Sequence, residues 1–321
     1  MSIVLSHSTA REFYAVSPPI QNLPVYPERK AKLRTSTPTT ELVTTAKAAL
    51  ESWNVVAQEP LHLLVPCAAD RRKLKGAVCH ICSQPLQEGS LRAIGHSAFV
   101  ADIRLCALQA ATYLDQLELI EYLYEICGTY ALPIEPDGDY TERPALTCVE
   151  ELKRYAEGAT GARGADNLKR ALLYVRDGSR SPMETALAML LILPKRLGGL
   201  GLRSVQMNHR VEVTGRAQAL TRRREFYFDA FLASSKTDLE YNGFHHNEDE
   251  ARVIDEERRS ALGSMGYTII EVSKQSLMGR GNFERSMSRI MRIAGIRPSR
   301  LPEGFEQKQE ELRRFVLRRW L

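Results

Sequence analysis

Residues 224–262 read REFYFDAFLASSKTDLEYNGFHHNEDEARVIDEERRSAL. An aspartate, Asp229, stands inside the apolar run FYFDAFL. A strand-interior carboxylate is disfavoured by β propensity, and burying it without a partner costs several kcal/mol. Asp229 therefore reads as a metal ligand or, failing that, as one half of an ion pair with Arg222, Arg223 or Arg224 at a sheet edge. A second β-like run, Asp238–Asn242, follows a short loop and ends at Gly243. Side chains alternate along a strand, so Asp238, Glu240 and Asn242 share one face, and Leu239 and Tyr241 the other. Two adjacent strands thus carry carboxylates to one place, and clustered carboxylate oxygens are what a hard cation such as Mg²⁺ requires. Asp229 and Glu240 are the candidate metal ligands. Asp238, one alternation from Glu240, is the rival ligand and reads as capping the strand start and facing solvent.

The flanks supply further candidates. Ser181–Pro182–Met183–Glu184 has the spacing of a capping box with proline at the first helical position. Met183, Leu187, Leu190 and Leu191 mark that helix's buried stripe, with Glu184 at its border, so Glu184 serves as a cap, as a metal-site carboxylate, or as both. Adjacent histidines rarely converge on one ion, and no cysteine lies in this half, which argues against structural zinc at His245–His246. A histidine there suits proton transfer or phosphate contact. His246 is the choice because it stands nearer the N–H groups of the coming helix, with His245 as rival. Asp255 and Arg258, at i and i+3, are expected to pair. Arg222–Arg224 and Lys274 are candidate contacts to a nucleic-acid backbone. The closing EELRRFVLRRWL is a basic amphipathic helix that packs through Leu312, Phe315, Val316 and Trp320.

Asp229, Glu240–Tyr241–Asn242–Gly243, His245–His246, then Asp255, Arg258, Leu262, Gly266 and a closing strand Tyr267–Val272 resemble the very-short-patch-repair-like branch of the PD-(D/E)XK nucleases. Ser181–Glu184 resembles the helix that this branch places before its first core strand. The resemblance implies an α/β, restriction-endonuclease-like fold: a central mixed sheet flanked by helices. It implies a metal-dependent endodeoxyribonuclease using Mg²⁺ or Mn²⁺, with DNA as partner and a role in phage defence or DNA repair. Its implied catalytic residues are Asp229, Glu240, His246 and Glu184, with Asp229 and Glu240 on the metal. The chain departs from the E-x-K signature at Asn242, where the lysine would stand. The alternative is a non-catalytic DNA-binding regulator or antitoxin-like protein with a degenerate nuclease fold.

The first half reads as a smaller α+β domain. Its runs LHLLV (Leu61–Val65), Ala77–Ile81 and AFVA (Ala98–Ala101) are strand-like, and Ile103–Leu114 and Leu117–Cys127 form a helical pair. From LSHSTAREF through LHLLVP to FVADIRLCALQAA it resembles the sensor-like domain of the abortive-infection antitoxin family, which implies a protein partner through this half. A Pro-rich, basic stretch, Ser17–Thr37, reads as an exposed extended loop, and Thr37–Pro38 as the start of a helix to Trp53. Cys79–His80–Ile81–Cys82 supplies at most two ligands, on opposite strand faces, so its cysteines read as buried small apolar residues. The turn-rich Pro133–Pro144 is the expected linker, dividing the chain into 1–143 and 144–321, with Thr147 and Glu150 as a capping box beyond it. At 321 residues the chain can bury two cores, and its net charge of +5 permits nucleic-acid binding. No apolar run is long enough for a bilayer, and the expected compartment is a reducing cytoplasm with free thiols.

Overall fold

The chain divides into two units, Met1–Val175 and Arg176–Leu321. The computed structural model describes residues 2–16, 23–24, 33, 35–56, 58–133, 138–242 and 249–321, with the backbone alone at 242 and 249–253. Most of the Pro-rich 17–37 stretch therefore lies outside the described residues.

The first unit runs β1 (Ile3–Leu5), α1 (His7–Val16), α2 (Thr40–Glu51), β2 (Leu61–Val65), β3 (Ala77–Ile81), β4 (Leu91–Gly95), β5 (Ala98–Ala101), α3 (Ile103–Ala110) and α4 (Gln116–Cys127). It continues through β6 (Tyr130–Ala131), β7 (Thr141–Glu142), α5 (Val149–Gly158) and α6 (Ala165–Ala171). Its mixed sheet has the order β3-β2-β1-β5-β4. The three strands expected from the sequence appear with their expected bounds. β1 was hidden by its three-residue length, too short for any period to show. The second helix begins two residues later than Thr37–Pro38 suggests, because Thr39 is the residue whose side chain accepts the Leu42 N–H. Thr147 likewise is not a cap: Cys148 holds that position and the Thr147 hydroxyl donates to Glu151.

The expected boundary at 143/144 is corrected by thirty-odd residues. β6 pairs with β7 across the Pro-rich segment, of which 134–137 lie outside the described residues. Beyond it, α5 and α6 bury Leu152, Tyr155, Ala156, Leu168 and Ala171. These helices pack against α3 and α4. The Tyr155 hydroxyl meets Ser90 Oγ at 2.9 Å, and the Tyr124 hydroxyl donates to the Tyr174 carbonyl at 2.8 Å. Two amphipathic helices needed an apolar partner, and the first unit supplies it.

The second unit begins with α7 (Pro182–Ile192), followed by β8 (Gln206–Glu212), β9 (Glu225–Leu232), β10 (Thr237–Asn242), α8 (Asp249–Ser264) and β11 (Thr268–Ser273). Then come α9 (Lys274–Met278), α10 (Arg280–Ile293) and α11 (Phe305–Leu317). Its sheet has the order β11-β10-β9-β8, antiparallel except for the parallel pair β10–β11. Parallel neighbours need a crossover, and α8 is that crossover. Ala261 and Leu262 of α8 close an apolar cluster with Val211, Phe226, Phe228 and Phe231. α7 is buried along its whole length rather than on one stripe. α11 lies so close to the turn after α7 that a Cβ at Gly198, where φ is +88°, would sit 2.1 Å from the Lys308 carbonyl oxygen. Arg313 does not face solvent: it is buried and donates to the Leu277 and Met278 carbonyls and to Glu310, tying α11 to α9. Among the described residues no helix is long and apolar enough to cross a membrane.

Because each unit carries its own sheet and core, a fragment of residues 176–321 is expected to unfold cooperatively on its own, whereas one of residues 144–321 gains only two unpartnered helices. Circular dichroism melts of both fragments check this. A melt of 176–321 without a transition overturns the boundary.

Candidate active site

Four carboxylates gather in the second unit: Glu184 at the start of α7, Asp229 on β9, and Asp238 and Glu240 on β10. The β9–β10 ladder runs as far as Leu239 opposite Ala230. Two residues on, the Tyr241 N–H finds the Asp229 side chain instead, donating to Oδ2 at 2.9 Å. Asp229 thus replaces a backbone carbonyl where the two strands part. It makes no ion pair with Arg222, Arg223 or Arg224, which are exposed.

Ser181 caps α7, and the Glu184 carboxyl is tied into that cap while standing close enough to Asp229 to feel its charge. Ser181 Oγ accepts the Glu184 N–H at 3.1 Å and donates to Oε1 at 3.2 Å, while Oε2 accepts the Arg180 N–H at 2.8 Å. The side chain is only 8% exposed. Burial, then the negative charge of Asp229, pushes its pKa up to about 7, against the pull of its hydrogen bonds and Arg180. Burial raises Asp229 to about 6, with Glu240 adding to the rise and the Tyr241 N–H, Arg258 and Arg180 opposing it.

Asp238 corrects the sequence reading. It is not solvent-facing but 0% exposed, and its Oδ1 has no hydrogen-bond partner. It sits opposite Phe231 on β9 and Ile269 on β11, so neighbours on both sides of β10 exclude water. Burial, then Glu240 and Asp229, pushes its pKa up to about 8. The compensating cation comes from α8. Arg258 donates to Glu240 Oε1, reaches Asp238 Oδ2 at 3.4 Å and donates to the Tyr227 carbonyl at 3.0 Å. Its guanidinium lies 5.9 Å from the centre of the Phe226 ring. The expected Asp255–Arg258 pair does not form, and Asp255 is exposed. Arg258 is three and four residues before Ala261 and Leu262, so it occupies the stripe that packs on the sheet. That placement was the available signal for its role.

His245 and His246 lie outside the described residues. Among the described residues no group of three or more His, Cys, Asp or Glu is arranged to hold a metal. The donor set still fits Mg²⁺ or Mn²⁺, since Mg²⁺ is commonly held by one or two carboxylates and keeps several waters. Asp229 and Glu240 are hard-oxygen donors, and the raised proton affinity of Asp229 and Glu184 marks negative charge that a cation would relieve.

A second cluster, which the sequence reading missed, sits in the first unit. His62 Nδ1 and His80 Nε2 are hydrogen-bonded at 2.8 Å, and the His7 ring stacks on His80 with centroids 3.7 Å apart. Near-parallel rings aim their in-plane lone pairs past one another, so His7 and His80 do not converge on one ion. Burial, then His80 and His62, lowers His7 to about 3; burial, then His62 and Arg71, lowers His80 to about 4. The six cysteines are free; Cys79 is buried as expected, whereas Cys82, just past the end of β3, is only half-buried.

The two clusters bend the pH–stability curve in opposite senses. Carboxylates with raised folded pKa values add stability that is complete below their unfolded values near 4 and is lost as pH rises through 6 to 8. Asp238→Asn is therefore expected to raise the melting temperature at pH 8–9 relative to the parent, with the gain shrinking toward pH 5; a gain independent of pH refutes the buried-charge account. Histidines with lowered folded pKa values act the other way, their stability being complete above 6.5 and lost as pH falls toward about 4. His80→Gln is expected to flatten the fall in melting temperature between pH 7 and 4.5, and an unchanged slope refutes it. Compared with known proteins, the chain matches no family model, no curated protein and no solved structure.

Proposed function

We propose that the second unit is a divalent-metal-dependent endonuclease that hydrolyses phosphodiester bonds in DNA, on a restriction-endonuclease-like fold. The observation that carries this reading is the gathering of Glu184, Asp229, Asp238 and Glu240 from one helix and two neighbouring strands, with the Arg258 guanidinium on Asp238 and Glu240. The order of elements supports it: a buried helix, three antiparallel strands, a crossover helix and a parallel fourth strand. So does the resemblance of these segments to the very-short-patch-repair-like nucleases.

Asp229 and Glu240 would hold Mg²⁺ or Mn²⁺, which when bound supplies charge stabilisation at the phosphate and a more acidic water. Asp229 is oriented for this by the Tyr241 N–H. Glu240 is steadied by Arg258 through one of its oxygens, Oε1, which also screens it from Asp238. Glu184, its pKa pushed up to about 7 by burial and Asp229, is held by its hydrogen bonds to Ser181 and Arg180 and can hold or release a proton beside Asp229. Proton transfer at the phosphate is assigned to His246, with His245 as rival.

A second reading has its own observation. Arg258 gives Glu240 an internal cation, and Asn242 stands where a lysine would activate water. A chain of this kind binds DNA without cutting it, as a regulator.

The two readings separate in one experiment set. Under the first, Mn²⁺ raises the melting temperature, more at pH 8 than at pH 6 because protons compete for the carboxylates, and Asp229→Asn abolishes the rise. Plasmid DNA is cut, and His246→Ala slows cutting by roughly 10²–10⁴ while leaving the melting shift in place. No cutting by the parent chain with either ion, together with DNA binding, selects the second reading.

A further inference from the structure

Residues 280–300 carry six arginines, Arg280, Arg285, Arg289, Arg292, Arg297 and Arg300, against one acidic residue, Glu284, and no lysine. α10 buries Phe283, Met287 and Ile290. At about 100° per residue, Arg285, Arg289 and Arg292 fall within about 60° of one another and on the opposite side of the helix from that stripe. All three are exposed, as are Arg297 and Arg300 just beyond the helix. Arg280 is paired with Glu284, and Arg285 reaches the Asn282 side chain. Among the described residues, Arg289, Arg292, Arg297 and Arg300 make no ion pair. An ordinary solvated helix face intersperses both signs; here three exposed arginines share one face of the helix, and two more exposed arginines follow it in the chain.

From this we infer that the outer face of α10, extended by Arg297 and Arg300, is a binding surface for the phosphate backbone of duplex nucleic acid. Guanidinium groups match phosphate oxygens in a fork geometry that lysine lacks, and this stripe holds arginine alone. The same charge would attract an anionic bilayer, but surface-bound helices bury a face of large apolar residues in the lipid. α10 spends its apolar face on the protein core, and none of the exposed large hydrophobic residues lies between 280 and 300. The stripe is distinct from the cations that the sequence suggested, Arg222–Arg224 and Lys274. It takes its ligand class from the endonuclease reading and rests on that reading to this extent, yet it requires no hydrolysis.

The test is binding without metal. Fluorescence anisotropy of a labelled 20-base-pair DNA duplex is read in EDTA at several salt concentrations, for the full chain and for the triple variant Arg285→Gln, Arg289→Gln, Arg292→Gln. Each lost phosphate contact makes the log–log salt slope shallower by about 0.9, so the triple variant is expected to lose about 3 from the slope and on the order of tenfold or more in affinity at low salt. Arg154→Gln, which removes one exposed arginine on α5 of the first unit, is expected in the same assay to bind as the parent does. The inference is overturned if the parent does not bind the duplex, or if the triple variant, melting like the parent, binds with unchanged slope. Retention on anionic vesicles without duplex binding overturns it in favour of a membrane surface. Failure of plasmid cutting leaves this result standing, which keeps the two readings separable.

Discussion

Too many carboxylates for one cation is the constraint on which the second unit depends. Asp238 is wholly buried on β10, an inner strand of the sheet between β9 and β11, with one oxygen unsatisfied. Glu240 and Asp229 lie close enough to raise its proton affinity further. A buried charge persists only if paired, and otherwise takes up a proton. The structure uses both routes: Arg258 covers Glu240 and touches Asp238, while Asp238, Glu184 and Asp229 hold protons more tightly than free carboxylic acids do.

The topology explains how one arginine reaches two strand residues. β10 and β11 are parallel, so the chain must cross the sheet between them, and α8 makes that crossing. A crossover helix turns its apolar stripe to the sheet. Arg258 occupies that stripe beside Ala261 and Leu262, where an arginine is tolerated because Asp238 and Glu240 lie beneath it and the Phe226 ring covers its face. Packing and electrostatics are therefore one feature here. Glu184 shows the same economy, since the carboxyl tied into the α7 cap is the one whose charge opposes that of Asp229.

The two units store negative and positive potential in different ways. In the second, burial and mutual repulsion favour protonated acids; in the first, burial and repulsion between neighbouring cationic groups favour neutral histidines. Linkage then lowers stability at alkaline pH through one unit and at acidic pH through the other. On the surface the opposite rule holds. Arg285, Arg289 and Arg292 of α10 are exposed to solvent rather than drawn into the core.

The sequence by itself determined the strands LHLLV, AVCHI and AFVA, the half-buried aspartate in FYFDAFL, the cap at Ser181–Glu184 and the alternation that put Asp238 and Glu240 together, because these follow from period and propensity within a few residues. It misplaced the division between the units, since α5 and α6 carry apolar faces whose partners, α3 and α4, lie at a distance along the chain. It also misjudged Asp238 and Arg258. Whether a carboxylate at a strand start faces water depends on what flanks that strand, and β9 and β11 close over β10 only once the sheet is assembled. Likewise an i, i+3 pair such as Asp255–Arg258 is only a local option. The arginine went instead to residues 18 and 20 positions earlier, where buried negative charge binds a cation far more strongly than a solvated aspartate can.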